Sequence, residues 1–285
     1  MPGRDDLKAV PYRCTLPAVP KLSVTVITKN ESAHIGAALA SVRWADEIIV
    51  VDSESTDDTV ALAQQVTERV VVRPWPGYIA QKNFAASLAS HDWILSLDAD
   101  ERVTPALAQE VQATLTHPAH KAYRMPRVTW HLGRWIRTTD WYPDDQLRLY
   151  DRRSATWTGQ YVHEAVSVDG TIGRLSGEIE HYAYRDISEH LETIDRYTTY
   201  AAKQMKESGR RAGLLQLAGH PPLAFLRNYV ARGGIRDGVP GLIISSLNAY
   251  YVFLKFAKLR ELQTAGETGT PNRTSEPQNL RTPEP

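Results

Sequence analysis

The residues best able to do chemistry stand together in the run Trp93-Ile-Leu-Ser-Leu-Asp98-Ala-Asp100-Glu101, an apolar stretch that stops at three carboxylates. A short apolar run of this kind reads as a buried strand. Along an extended chain Asp98 and Asp100 point the same way, with the small Ala99 between them. Two such carboxylates repel each other unless a cation or hydrogen bonds offset the charge. A hard divalent ion, Mg2+ or Mn2+, is the usual solution, because it takes oxygen ligands and shares its shell with substrate phosphates. Helix capping is the competing account of these acids. Just downstream, however, Thr104 fits the cap and Pro105 the first position of the next helix, so that role is already filled.

The elements that must position the carboxylates follow from periodicity. Strands are predicted over 22–28, 47–52, 70–72 and 93–97, and helices over 35–42, 59–66, 79–88 and 106–115. The β-branched core of Glu47-Ile-Ile-Val-Val-Asp52 predicts burial on both faces, as in a parallel sheet. Strands alternating with helices predict an α/β protein, a mostly parallel sheet with helices on both faces. In such sheets ligands sit beyond the carboxyl ends of the strands. Thr28, Lys29, Asn30 and Glu31 end the first strand, Asp52 and Ser53 the second, and Asp98, Asp100 and Glu101 the fourth. Singly, Asn30 or Ser32 could cap a helix and Asp52 could belong to a turn. Polar groups on three strand ends at one rim point instead to a site. Neither G-x-G-x-x-G nor G-x-x-x-x-G-K-[ST] follows the first strand, which removes the main support for dinucleotide and P-loop chemistry.

The rest of the chain narrows the class. Its 285 residues are 42% hydrophobic and 23% charged, an ordinary globular composition. Lys+Arg and Asp+Glu both number 33, so no global charge draws the protein to nucleic acid. A single cysteine, Cys14, excludes an internal disulfide framework and suits a reducing compartment. Residues 1–21 are polar, with several prolines, and lack the apolar core of a signal peptide, so a cytoplasmic protein is expected. From Ser188 onward Leu191, Ile194, Tyr197 and Ala201 recur at helical spacing. The later apolar run from Gly241 holds Ser245, Ser246 and Asn248, and Lys255 enters before a membrane span of about twenty residues is complete. Between Lys203 and Leu262 ten Lys or Arg stand against three Asp or Glu, a net of +7. Such a basic, aromatic and apolar segment fits the surface of an anionic membrane; packing on the main domain with a solvated basic face is the alternative. The expected organisation is an N-terminal extension (1–21), an α/β domain (22–187), a helical segment (188–263) and a disordered, apolar-poor tail (264–285).

Three motifs now carry a resemblance. T-K-N-E after the first strand, V-V-D-S-E-S-T-D-D-T after the second and D-A-D-E after the fourth resemble the family 2 glycosyltransferases, which have the GT-A fold, a Rossmann-like nucleotide-diphospho-sugar transferase architecture. Further on, Y-P-D-D-Q-L-R-L-Y-D-R-R, the Val162-His163-Glu164 segment and His181-Tyr-Ala-Tyr look like the subgroup containing lipopolysaccharide core β-glucosyltransferases, which extends the likeness to about residue 262. By position, the resemblance implies that Asn30 and Glu31, beyond Thr28, meet the nucleobase and ribose, and that Asp52 contacts the uracil or ribose. It implies that Lys82, in Gln81-Lys82-Asn83, lies near the diphosphate, that Asp98 touches the ribose or sugar, and that Asp100 ligates the metal. His181 is a further candidate ligand and His163 its rival.

An inverting transferase needs one general base facing the acceptor hydroxyl. Glu164 is the first candidate, Asp144 and Asp145 of an exposed Tyr142-Pro143 turn the second; ordinary surface carboxylates are the plain alternative. Trp130, Trp135, Trp141, Tyr142 and Trp157 could stack on sugar faces or fill a core, and Arg127, Arg134 and Arg137 could meet an anionic acceptor or stay solvated. The expectation is a metal-dependent, inverting transferase that binds a nucleotide-diphosphate sugar, UDP-glucose first, and moves the sugar to a lipid-linked saccharide such as a lipopolysaccharide core heptose. It would work without nucleic acid, in the cytoplasm or on the inner face of the cytoplasmic membrane. The alternatives are transfer to polyprenyl phosphate or another surface polysaccharide, a non-catalytic nucleotide-sugar binding protein, and a nucleotidyltransferase, which would want a glycine-rich basic loop.

Overall fold

The computed structural model describes residues 19–160 and 163–268. Its first half is a wound parallel unit: β1 (Leu22–Thr28), α1 (Ile35–Ser41), β2 (Glu47–Asp52), α2 (Thr59–Gln64), β3 (Val70–Val72), α3 (Tyr78–Ser87) and β4 (Trp93–Asp98), with strands side by side as β3-β2-β1-β4. All seven residues of β1 are buried, because it pairs on both edges and is covered on both faces. On one face α1, α2 and α4 (Pro105–Thr116) bring Ile35, Leu39, Ala63 and Leu107 onto Val24 and Val26. The other face is covered by α3, whose Ala85 packs with Ile27, Ile49 and Tyr150. Thr104 opens α4 as its sequence suggests: Oγ1 accepts the amide of Leu107 at 3.3 Å, and Pro105 takes the first position.

Beyond β4 the sheet becomes mixed. It adds β5 (Glu101–Val103), β6 (Ala122–His131), β7 (Arg134–Ile136) and β8 (Asp144–Asp151), while β9 (Ala155–Gln160) and β10 (His163–Val168) form a separate antiparallel hairpin against α3. β11 (Ile172–Arg174) and β12 (Ile179–His181) complete it. β8 runs antiparallel to both β4 and β6, and β12 runs parallel to β6 and antiparallel to β5. Asp144 and Asp145 are thus not the exposed turn expected of them. They open β8, because its pairing with β6 extends to Arg127 and Pro126.

A helical layer follows. Asp186 caps α5 (Ile187–Glu207) by accepting the amide of Glu189, and the helix buries His190, Ile194, Thr198 and Ala202, one stripe with a spacing of four. The short α6 (Leu214–Ala218) and α7 (His220–Leu226), a π-helical turn (Arg227–Ala231) and a 3-10 turn (Gly234–Asp237) lead into α8 (Gly238–Thr268). α8 packs on α5 through Phe256, Leu259 and Ala202. A Cβ on Gly241 would lie 1.9 Å from the carbonyl oxygen of Gly234, so only glycine admits this close approach. The segment from Gly234 to Thr264 is long and apolar enough to cross a membrane by length and composition alone. α8 continues past Gln263 to Thr268; the rest of the expected tail, and residues 1–18 of the expected extension, lie outside the described residues.

Candidate functional site

β4 delivers Asp98 at its carboxyl end, and the next residues turn back into β5. Because β5 pairs with β12, His181 falls opposite Glu101, and its Nε2 lies 3.1 Å from Asp100 Oδ2. On its other side His181 Nδ1 lies 3.3 Å from Thr129 Oγ1 of β6. Asp98 Oδ2 accepts from Arg148 Nη2 at 2.5 Å, and Oδ1 lies 3.1 Å from Lys82 Nζ. Glu101 is fully buried and braces two guanidiniums, Arg148 at 2.6 Å and Arg127 at 2.8 Å. Burial works against charge on Asp98, yet Arg148 and Lys82 hold its carboxyl well below the usual range. Burial works against Asp100 too, and His181 pulls it low. Lys82 is itself buried; it donates to Glu164 Oε1 at 2.6 Å and lies 4.4 Å from the centre of the Trp157 ring. Glu164 Oε2 is buried and accepts nothing among the described residues.

Two cavities meet here. The larger, about 600 Å³, runs from Asp98, Asp100, Arg148 and Glu164 to Tyr197 of α5 and Tyr251 of α8. The second, about 390 Å³, is walled by Asn30, Glu31, His34, Asp57, Arg185 and Glu189. Asp100, Ala183, Thr193 and Arg196 line both, so Asp100 stands at the junction. The Arg196 guanidinium donates to Thr193 Oγ1 at 3.5 Å, and its Nε is buried without a partner among the described residues. Tyr184 stacks on His190 at 4.3 Å, and with Trp141 they make an aromatic wall. Burial, helped by His131, pushes His190 down to about 4, so this wall is uncharged at neutral pH.

The residues singled out from the sequence separate clearly. Asp98, Asp100, His181 and Glu164 line the larger cavity, with Lys82 behind two of them. Asn30 and Glu31 line the second. Asn30 has a left-handed backbone, φ 55°, and its Oδ1 accepts the amide of Thr56 at 2.8 Å, which clasps the first loop to the second. Burial first, and the charge of Asp100 second, push the Glu31 carboxyl up to about 8. Asp57 goes the other way: burial would raise it, but hydrogen bonds from Thr59 and Ser32 hold it at about 2. Thr28 and Asp52 are buried and line neither cavity, and both oxygens of Asp52 accept from Ser55, the bonding of a turn. Asp144 is engaged by Arg127 Nε at 2.9 Å and Gln146 Nε2 at 2.6 Å, and Asp145 by Arg174 at 3.0 Å; neither lines either of the two cavities. The side chain of His163 is outside the described residues.

The aromatic and basic stretch divides as well. Trp141 lines the larger cavity, Trp130 and Trp135 pair with each other, and Trp157 bonds to Tyr150 within the core. Arg127 lines the cavity, while Arg134 pairs with Asp237 and Arg137 with Glu178. Sequence reasoning gave no role to Arg148, Tyr184, His190, Arg196 or Tyr251. Arg148 left one signal, a charge inside the apolar strand Leu147-Arg-Leu-Tyr150. The residues of α5 and α8 left none, since a helix face toward a cavity carries the same spacing as one toward a core.

Comparison with known proteins decides the family. The profile described as Glycosyl transferase family 2 matches residues 23–167. This chain belongs to that family. An uncharacterized glycosyltransferase of Rickettsia prowazekii (strain Madrid E) is 34% identical over 263 residues, covering 85% of this chain and 87% of its own. The lipopolysaccharide core biosynthesis glycosyltransferase LpsC of Rhizobium meliloti (strain 1021) is 33% identical over 252 residues, covering 86% and 93%. A mannosyltransferase from Pyrobaculum calidifontis, solved in complex with GDP-Man and Mn2+, superposes with a TM-score of 0.50 at 14% identity, covering 84% of this chain and 87% of that one. That likeness bears on the fold alone. The fold of this family 2 glycosyltransferase is thus the GT-A type, with the mixed extension and helical layer described above.

Among the described residues no three His, Cys, Asp or Glu side chains converge as a closed metal cage. Asp100 and His181 offer two adjacent ligand atoms, and His181 holds the Asp100 carboxyl low against the effect of burial. Two protein ligands suit an ion that completes its shell with water and substrate phosphate, as Mg2+ and Mn2+ do. The residues present therefore fit such an ion.

Proposed function

We propose that this family 2 glycosyltransferase is metal-dependent and inverting, and that it takes a sugar from a nucleotide diphosphate, UDP-glucose first, to a lipid-linked saccharide of the lipopolysaccharide core kind. The observation that carries this reading is the junction of two cavities at Asp100 and His181, with Glu164 on the wall of the larger. The smaller cavity suits the nucleoside, with Asn30 and Glu31 as contacts. Asp98, fixed by Arg148 and Lys82, is then the contact for ribose or sugar. A Mg2+ or Mn2+ ion held by Asp100 and His181 would supply positive charge to the departing diphosphate. Arg196 lines both cavities and adds charge at the same point. The acceptor hydroxyl enters from the larger cavity, whose aromatic wall of Trp141 and Tyr184 suits a sugar face. Glu164 Oε2 takes its proton, the acceptor oxygen bonds to the sugar C1, and the C1–phosphate oxygen bond breaks. Lys82 on Oε1 fixes the carboxylate and leaves Oε2 as the free oxygen. The likeness to a lipopolysaccharide core biosynthesis glycosyltransferase supports the acceptor class.

A panel of UDP- and GDP-sugars, with Mn2+ or with chelator, tests the reading. Metal-dependent turnover of at least one donor is expected, and Asp100→Ala should remove metal-dependent donor binding. Turnover that chelator leaves untouched, or Asp100→Ala binding donor and Mn2+ like wild type, would refute the metal assignment.

A further inference from the structure

Ten of the sixteen exposed large apolar side chains among the described residues lie between Leu214 and Phe253. They sit on α6, α7, the π-helical and 3-10 turns and the start of α8, elements that pack on one another along α8. Leu214 is 81% exposed, Leu215 72%, Leu223 64% and Val239 67%. Scattered surface leucines need no account, but a gathered set of this size marks an interaction surface.

The charge of this surface is one-sided. Arg210, Arg211, Arg227, Arg232 and Arg236 are all exposed in the same stretch; Arg227 and Arg232 share the single carboxylate of Asp140, so the set keeps a positive excess. From Ser208 to Leu254 the one acidic residue is Asp237, which is buried and held by Arg134 and Thr138. A second copy docking about a two-fold axis would set guanidinium against guanidinium. A bilayer of anionic lipid matches both parts, with arginines at the headgroups and leucines below them.

We propose that the face from α6 to the first turns of α8 docks in the interfacial plane of an anionic lipid bilayer. The face is tied to the catalytic region through Asp140. That carboxylate accepts from Arg227 Nη2 at 2.5 Å and Asn248 Nδ2 at 3.2 Å and pairs with Arg232 at 2.9 Å. Its chain neighbour Trp141 lines the larger cavity, together with Ile244, Asn248 and Tyr251 of α8. Docking therefore brings one wall of that cavity to the lipid surface, where a lipid-linked acceptor is delivered. This consequence rests on the acceptor reading above; the docking itself does not.

Sedimentation of the full chain with vesicles of phosphatidylcholine, with or without phosphatidylglycerol, tests the proposal. Binding is expected with phosphatidylglycerol at low salt, at least about tenfold weaker without it or at about 1 M salt, and reversed by alkaline carbonate. The double variant Leu214→Asp/Leu223→Asp should partition to the same vesicles at least about tenfold less, with wild-type melting and circular dichroism, since both side chains are exposed. A wild-type chain that stays in the supernatant with phosphatidylglycerol at low salt overturns the proposal, as does a double variant that binds like wild type. Resistance to carbonate overturns it in favour of a spanning α8. A wild-type dimer that the double variant dissociates in sedimentation velocity assigns the face to a second copy instead. Donor turnover in vesicle-free buffer reports separately on the enzyme reading.

Discussion

Glu164 has one oxygen committed to Lys82, at 2.6 Å, and one left without a partner among the described residues. That asymmetry distinguishes it from Asp144, whose oxygens are engaged by Arg127 and Gln146. Glu164→Gln is expected to keep donor binding and lose about 10²–10⁴ in kcat, the usual worth of a positioned base. Asp144→Asn should change kcat only a few-fold. Calorimetric donor titration beside initial rates separates the two, and a reversed outcome would move the base to Asp144. Glu31 poses a different residue-scale question. Burial, and then the charge of Asp100, raise its carboxyl from 4.5 to about 8, so the folded chain holds this proton more tightly than the unfolded one. Its contribution to stability is then full below pH 4.5, declines as pH rises from there, and is gone once pH has passed about 8. In metal-free protein, thermal melting between about pH 5 and pH 9 should fall more steeply for wild type than for Glu31→Gln. Parallel melting curves for the two would contradict a protonated Glu31.

Each element contributes to the site by what it is forced to bury. β8 ends the parallel half of the sheet, and it carries Arg148 inward because alternation places residue 148 on the face of Asp98 and Glu101. α5 roofs both cavities: His190 and Ile194 of its buried stripe line the larger one together with Tyr197, and Thr193 and Arg196 beside them line both. α8 holds Asn248 and Tyr251 at the far wall, and its start depends on the contact between Gly241 and Gly234. A methyl group at Gly241 has backbone in its way, so the helix must shift. Gly241→Ala is expected to destabilise the protein by about 1–3 kcal/mol, read from the midpoint of urea unfolding at constant m. A midpoint equal to wild type would show that the turn before α8 yields at no cost.

On the scale of the whole molecule, two kinds of surface are kept apart. Overall charge is balanced at 33 against 33, but the helical layer is strongly basic and the rim of the sheet is rich in acids. How much of this was legible without coordinates depends on range. β1, β2 and β3 have the limits read from the sequence: runs rich in β-branched residues mark β1 and β2 inside the sheet and the short Val70–Val72 strand at its edge. The rim carboxylates Asp98 and Asp100 were legible as acids that end an apolar run, and the helix start at Thr104-Pro105 from its cap residue and first-position proline. The misread turn at Asp144 and Asp145 shows where local signals lose, since pairing with β6 overrides a Pro-Asp-Asp turn signature. The separation of Trp141 from Trp157 also depends on neighbours remote in sequence. Local patterns along the chain were enough for the family resemblance, the alternation of strands and helices, and the acids at the strand ends. Folding was needed to bring His181 to Asp100 and Lys82 to Glu164, and to set α5 and α8 as walls of the cavity around Asp98 and Asp100. Those contacts join residues about 80 or more positions apart through strand pairing and helix packing, and no local preference encodes them.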